Sequence, residues 1–82
     1  MTNDQVKALI REVVASVLEI DESELEDTAA FTDRFDSLAL IEIAEGIEEA
    51  FDNKFRFEDG DLEEIKSLAD LYRVVLAYLD AS

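Results

Sequence analysis

The sequence predicts an all-α fold, a four-helix bundle of three longer helices and one short one. Three observations carry that expectation. Apolar residues recur by threes and fours in three separate stretches, the chain has no proline and 2 glycines, and it has no cysteine to staple a smaller core. At 82 residues there is material for one core only, so residues 1–82 are expected to form a single domain. A chain of this size buries about 60–65% of its unfolded surface.

Thr2 or Asn3 is placed to cap the first helix, with Gln5 as the capping-box partner of Thr2. The stripe that follows is Val6, Leu9, Ile10, Val13, Val14, Val17 and Leu18, while Lys7, Arg11 and Glu12 lie off it. From Glu19 to Asp36 the period lapses, and the spacing predicts a long ordered loop pinned by Leu25, Ala29, Phe31 and Phe35, with a helical turn near Ser23 to Leu25. The second helix is predicted from Ser37 to Phe51. Asp52 to Phe57 alternates like a strand but has no neighbour to pair with, so it reads as an extended link whose Phe55 and Phe57 close the core. Glu58 to Asp61 reads as a turn, and Asp61 as the cap of a short third helix through Ile65. Ser67 and Asp70 form a capping box for the last helix, which buries Leu68, Leu71, Val74, Val75, Tyr78 and Leu79.

The second helix divides by face. At about 100° per residue, Leu40, Ile43, Ala44, Ile47, Ala50 and Phe51 fall on the core side, and Glu42, Glu45, Glu48 and Glu49 on the other. Leu38 projects amid the glutamates and Ile41 lies at their edge, with no Lys or Arg between Phe35 and Asn53. A helix tuned only for solubility would mix signs, because like charges at i,i+4 repel. Leu38, Ile41, Glu42, Glu45, Glu48 and Glu49 therefore read as a docking surface in which charge steers and leucine makes contact. Gly46, inside this helix, marks either a close approach of a neighbouring element or a weak point.

The 22 acidic residues against 7 basic ones give a formal charge of -15, which argues against nucleic acid and anionic membrane surfaces and for partners with basic patches. The N-terminus has no basic segment leading into an apolar run, and no apolar stretch reaches the length of a membrane span, so a cytoplasmic monomer is expected. Glu58-Asp59-Gly60-Asp61 lacks the spacing of a calcium loop, and no metal site is expected. Hydrolase chemistry finds no support: with no histidine, Ser37 has no adjacent base. At the start of a helix, behind Asp36, its hydroxyl either caps the helix or accepts a phosphate-linked group from another enzyme.

Asp36-Ser37-Leu38, followed by Ile41-Glu42-Ile43 and then Ile47-Glu48-Glu49-Ala50-Phe51, resembles the acyl carrier protein family. The first helix, Phe31, Phe55 and Ser67-Leu68-Ala69-Asp70-Leu71 extend the likeness over nearly the whole chain. The resemblance implies an acyl-carrier-like bundle and a free-standing carrier, not an enzyme. Ser37, flanked by Asp36 and Leu38, would be a phosphoprotein site esterified with 4'-phosphopantetheine from coenzyme A by a phosphopantetheinyl transferase. Acyl groups held there as thioesters would pass between a ketosynthase, an acyltransferase and other enzymes of fatty-acid or polyketide synthesis. Ile43, Ala44, Ile47 and Phe51 would enclose part of the acyl chain. The chain departs from the family at Ala39, at Glu45 and in a slightly longer link from Phe55 to Ile65, which leaves the pathway open. A peptidyl or D-alanyl carrier, and an acidic adaptor without the prosthetic arm, are the alternatives.

Overall fold

The computed structural model describes residues 2–26 and 37–81. In order they form α1 (Asn3–Leu18), a 3-10 turn (Glu22–Glu24), α2 (Ser37–Ala50), α3 (Asp59–Glu64) and α4 (Leu68–Ala81), with α1 packed on both α2 and α4. The predicted all-α architecture is what forms. Ala29, Phe31, Phe35 and Asp36 lie outside the described residues.

The capping box of α1 forms as expected: Gln5 N–H donates to Thr2 Oγ1 at 3.2 Å, and Thr2 N–H donates to Gln5 Oε1 at 2.9 Å. The helix ends at Glu19, held left-handed at φ 56°, with Ile20 N–H closing back on the Ala15 carbonyl at 3.0 Å. Arg11, off the apolar stripe, ties down the segment that follows. Its guanidinium donates to the carbonyls of Glu22 at 2.9 Å and Leu25 at 3.3 Å and reaches the Tyr72 hydroxyl at 3.4 Å. One side chain thus joins α1, the 3-10 turn and α4.

Val6, Ile10 and Val14 from α1 meet Ile43 and Ile47 from α2, Phe51 one residue past its end, where the sequence predicts the helix to run, and Leu68, Leu71, Tyr72, Val74 and Val75 from α4, with Phe55 and Ile65 filling in from the connections. Leu25, Leu40, Phe57, Tyr78 and Leu79 pack around this core half-buried. Tyr72 is absent from the sequence-derived core set, although it lies four residues after Leu68 and three before Val75 on the same stripe, and it packs at 5% exposure.

The third helix starts earlier than predicted. Asp59, Gly60 and Asp61 belong to it, Glu58 is its cap residue, and Asp61 sits at the third helical position. There Asp61 Oδ2 accepts from Glu58 N–H at 2.9 Å and also from the Tyr78 hydroxyl. Gly60 hid the helix by lowering its propensity, whereas the reach-back from Asp61 and the tether to α4 hold it. The bond to Asp61, with burial, pushes the Tyr78 hydroxyl up to about 12. The box at α4 is also offset. Asp70 N–H donates to Ser67 Oγ at 3.2 Å as expected, but the Asp70 carboxylate accepts from Lys66 N–H at 3.0 Å. That bond, helped by Arg73 and Ser67 against opposing burial, holds the Asp70 carboxyl below its usual range.

Gly46 marks a close approach. A Cβ on it would stand 2.9 Å from Val13 Cγ1 of α1. Valine cannot swing clear cheaply, because its χ1 is restricted in a helix. Gly46→Ala should therefore destabilise the fold by about 1–3 kcal/mol through overpacking, despite a propensity gain of about 1 kcal/mol. Urea denaturation of the single variants and of Gly46→Ala with Val13→Ala checks this. The double variant is expected to lose less than the sum of the two singles.

Candidate functional site

The site is built on α2, which opens on Ser37. Its inner face is as the period predicts: Ile43 and Ile47 are wholly buried, and Ala44 and Phe51 nearly so. On the outer face Leu38 is 64% exposed and Ile41 43%, the two large apolar side chains left in solvent among the described residues. Glu42, Glu45 and Glu49 are exposed beside them. The three carboxylates form no ion pair with any described residue, so their charge is uncompensated toward solvent.

Glu48 behaves differently. It is half-buried, and its Oε2 accepts a hydrogen bond from Phe57 N–H at 2.7 Å. The helical step explains why: Glu48 falls beside Ile41 and Ala44, at the flank, rather than in line with Glu42, Glu45 and Glu49. Sequence reasoning grouped all four glutamates and missed this second task, whose only signal was Glu48's angular position.

The bond from Glu48 lays the link alongside α2. Phe57 packs edge-on to Phe55, with centroids 5.4 Å apart, and edge-on to Tyr78 at 6.2 Å, while Phe55 stacks on Tyr78 at 5.3 Å. Phe51 adds a fourth ring at 5.8 Å from Phe55. Between α2 and this aromatic group runs an open groove of about 260 Å³, walled by Ile41, Ala44, Glu45, Glu48, Arg56, Phe57 and Leu62. Of the four residues expected to enclose an acyl chain, Ala44 reaches the groove, whereas Ile43, Ile47 and Phe51 lie behind it in the packed core. Asp36, expected beside Ser37, is outside the described residues.

The chain has no histidine and no cysteine. In the segment Glu58 to Asp61, Asp61 accepts from Glu58 N–H and from the Tyr78 hydroxyl. Among the described residues no helix is long and apolar enough to cross a membrane. What α2 offers is a serine at a helix start, an exposed leucine one residue on, and a row of uncompensated acids leading away from it.

Residues 8–75 match the family described as the phosphopantetheine attachment site. The chain is also similar to the acyl carrier protein of Petrotoga mobilis (strain DSM 10674 / SJ95), with 34% identity over 70 residues that cover 83% of this chain and 80% of that protein. With the four-helix arrangement and a serine opening α2, these likenesses place the chain in the acyl carrier protein family, whose covalent cofactor is 4'-phosphopantetheine.

Proposed function

We propose that the chain carries acyl intermediates on a 4'-phosphopantetheine arm attached to Ser37 and delivers them to enzymes of fatty-acid or polyketide synthesis. The observation that carries this reading is the coincidence of Asp36-Ser37-Leu38 with the start of α2 inside the matched region. The residues fit the group. Leu38, 64% exposed, marks the helix start as surface, and the first N–H groups of a helix have no intrahelical partner and favour a phosphate. When attached, the arm supplies a thiol for thioester linkage that the chain itself lacks, and tethering raises the cargo's effective concentration at each partner. In this reading the base that activates the Ser37 hydroxyl is the phosphopantetheinyl transferase's own.

Leu38, Ile41, Glu42, Glu45 and Glu49 form the docking surface in this reading, with Glu48 adding charge through a carboxylate already committed to Phe57. The transferase, ketosynthase and acyltransferase would meet it with Lys and Arg around their active-site entrances. Acyl chains would enter beside Ala44 and displace Ile43, Ile47 and Phe51 outward from their packing.

Incubation with coenzyme A and a phosphopantetheinyl transferase should add the mass of one arm to the parent and none to Ser37→Ala. An arm on the alanine variant, or none on the parent with several active transferases, would overturn the assignment. Reversing Glu42 and Glu49 to lysine should lower transferase kcat/KM roughly tenfold or more at low salt and flatten its salt dependence. Leu38→Ala should lower it with the salt dependence retained, both variants keeping the parental helical signal. For the cargo, chemical-shift changes between the arm-bearing and the acylated protein should extend to Ile43 and Ile47. Changes confined to the neighbourhood of Ser37 would show that the acyl chain lies outside.

A further inference from the structure

Arg56 is the feature of α2's surroundings that a purely acidic docking surface does not explain. It is exposed, and it makes no hydrogen bond or ion pair with any described residue. Three other cations are engaged: Arg11 holds two carbonyls and the Tyr72 hydroxyl, Arg73 pairs with Asp70, and Lys7 lies 5.6 Å over the Tyr72 ring, while Lys54 and Lys66 are exposed like Arg56, with no side-chain hydrogen bond or ion pair to any described residue, but do not line the groove. Arg56 instead lines the groove, whose wall also includes Glu45, Glu48 and the apolar side chains of Ile41, Phe57 and Leu62. The Glu48 carboxylate, also in the groove wall, accepts from the next residue's N–H and makes no ion pair with Arg56. The placement of Arg56 is therefore built: Glu48 fixes the link at Phe57, and the aromatic group behind Phe57 keeps it there.

We propose that Arg56 is a specificity-determining residue, pairing with a carboxylate on the docking surface of a partner enzyme whose neighbouring apolar side chain enters the groove between Ile41, Phe57 and Leu62. The inference rests on the docking reading given above and adds a sign to it. A partner presenting only Lys and Arg meets Glu42, Glu45 and Glu49 equally well over a range of rotations about its contact with Leu38. One carboxylate placed opposite Arg56 selects a single orientation, because every other rotation sets it against glutamates. The chemistry recognised is thus a mixed surface, basic opposite α2 and acidic opposite the link. An all-basic patch is discriminated against by repulsion from the guanidinium.

Electrostatic steering alone makes the opposite forecast. In a chain of charge -15 that docks on basic partners, replacing a cation by an acid strengthens the long-range attraction and speeds association. The sign of the effect therefore decides. The carrier, its Arg56→Glu, Arg56→Ala and Arg56→Lys variants and the Glu42→Lys/Glu49→Lys variant would be assayed for kcat/KM with the phosphopantetheinyl transferase and, once loaded, with a ketosynthase that accepts it. Arg56 is exposed and unbonded, so thermal melts of its variants should match the parent. The expected result is a fall of roughly tenfold for Arg56→Glu with at least one of the two enzymes, a smaller fall for Arg56→Ala and near-parental activity for Arg56→Lys. A rise, or no change, for Arg56→Glu with both enzymes overturns the proposal, even where the glutamate reversals are harmful. Harmless glutamate reversals with both enzymes would instead overturn the docking surface on which it rests.

Discussion

Val13 and Gly46 meet where α2 has no side chain, with 2.9 Å between Val13 Cγ1 and the place a Cβ would occupy. A contact this close fixes the separation of α1 and α2 and also the rotation of α2 about its own axis. Ala50 shares with Gly46 the groove along α1 formed with Leu9, Val13 and Val17, so small residues line the meeting face. With that rotation fixed, Ile43, Ile47 and Phe51 point into the core, and Leu38, Glu42, Glu45 and Glu49 point directly away. Turning α2 by one residue, about 100°, would carry Glu42 toward the position Ile43 holds and bury a carboxylate without a partner. The outer surface is therefore specified from inside the molecule.

The opposite flank of α2 is set by polar rather than apolar means. Glu48 accepts from Phe57 N–H, and Asp61 accepts from Glu58 N–H and from the Tyr78 hydroxyl, so two carboxylates seat the link and α3 against α2 and α4. A six-residue helix is marginal by itself, since helix nucleation is unfavourable and the propagation that would offset it is short. Its placement depends on these bonds, on Ile65 in the core and on half-buried Leu62. The groove carrying Arg56 is thus bounded by one helix locked through close packing and one segment held through charge-assisted hydrogen bonds.

Much of this was legible in the sequence because it follows from period and capping. The stripe of α1, the core face of α2, the Thr2 box and the exposure of Leu38 and Ile41 all follow from local rules. The 3-10 turn near Ser23 was legible as well. What escaped were bonds between residues distant in sequence or at ambiguous angles. Arg11 looked like a solvated off-stripe cation but spans to Tyr72 on α4, and Glu48 looked like one of four equivalent acids. The start of α3 was misplaced because Gly60 outweighed Asp61 in a local reading, whereas the tether from Tyr78 is non-local. For the serine itself, sequence period gave only a position at a helix start. The likeness to known carriers supplied its chemistry.

Uniform charge on α2 opposes the helix that bears it, since acids spaced three and four apart repel one another. The opposition is tolerated because packing, not surface pairing, holds α2: its inner residues are buried to within a few per cent, with Ile43 and Ile47 at 0% exposure. The two kinds of outer residue then act over different ranges. Carboxylates act over roughly a Debye length, about 8 Å at physiological salt, and so bias the approach of a basic surface before contact. Exposed apolar side chains such as Leu38 and Ile41 act only once water is expelled, so in the proposed docking they would reward contact without affecting approach. Steering without contact would leave complexes loose, and contact without steering would leave encounters slow. Both sets lie on one helix whose first residue is Ser37, so in the proposed docking a partner drawn to the acids would meet the serine on the same element.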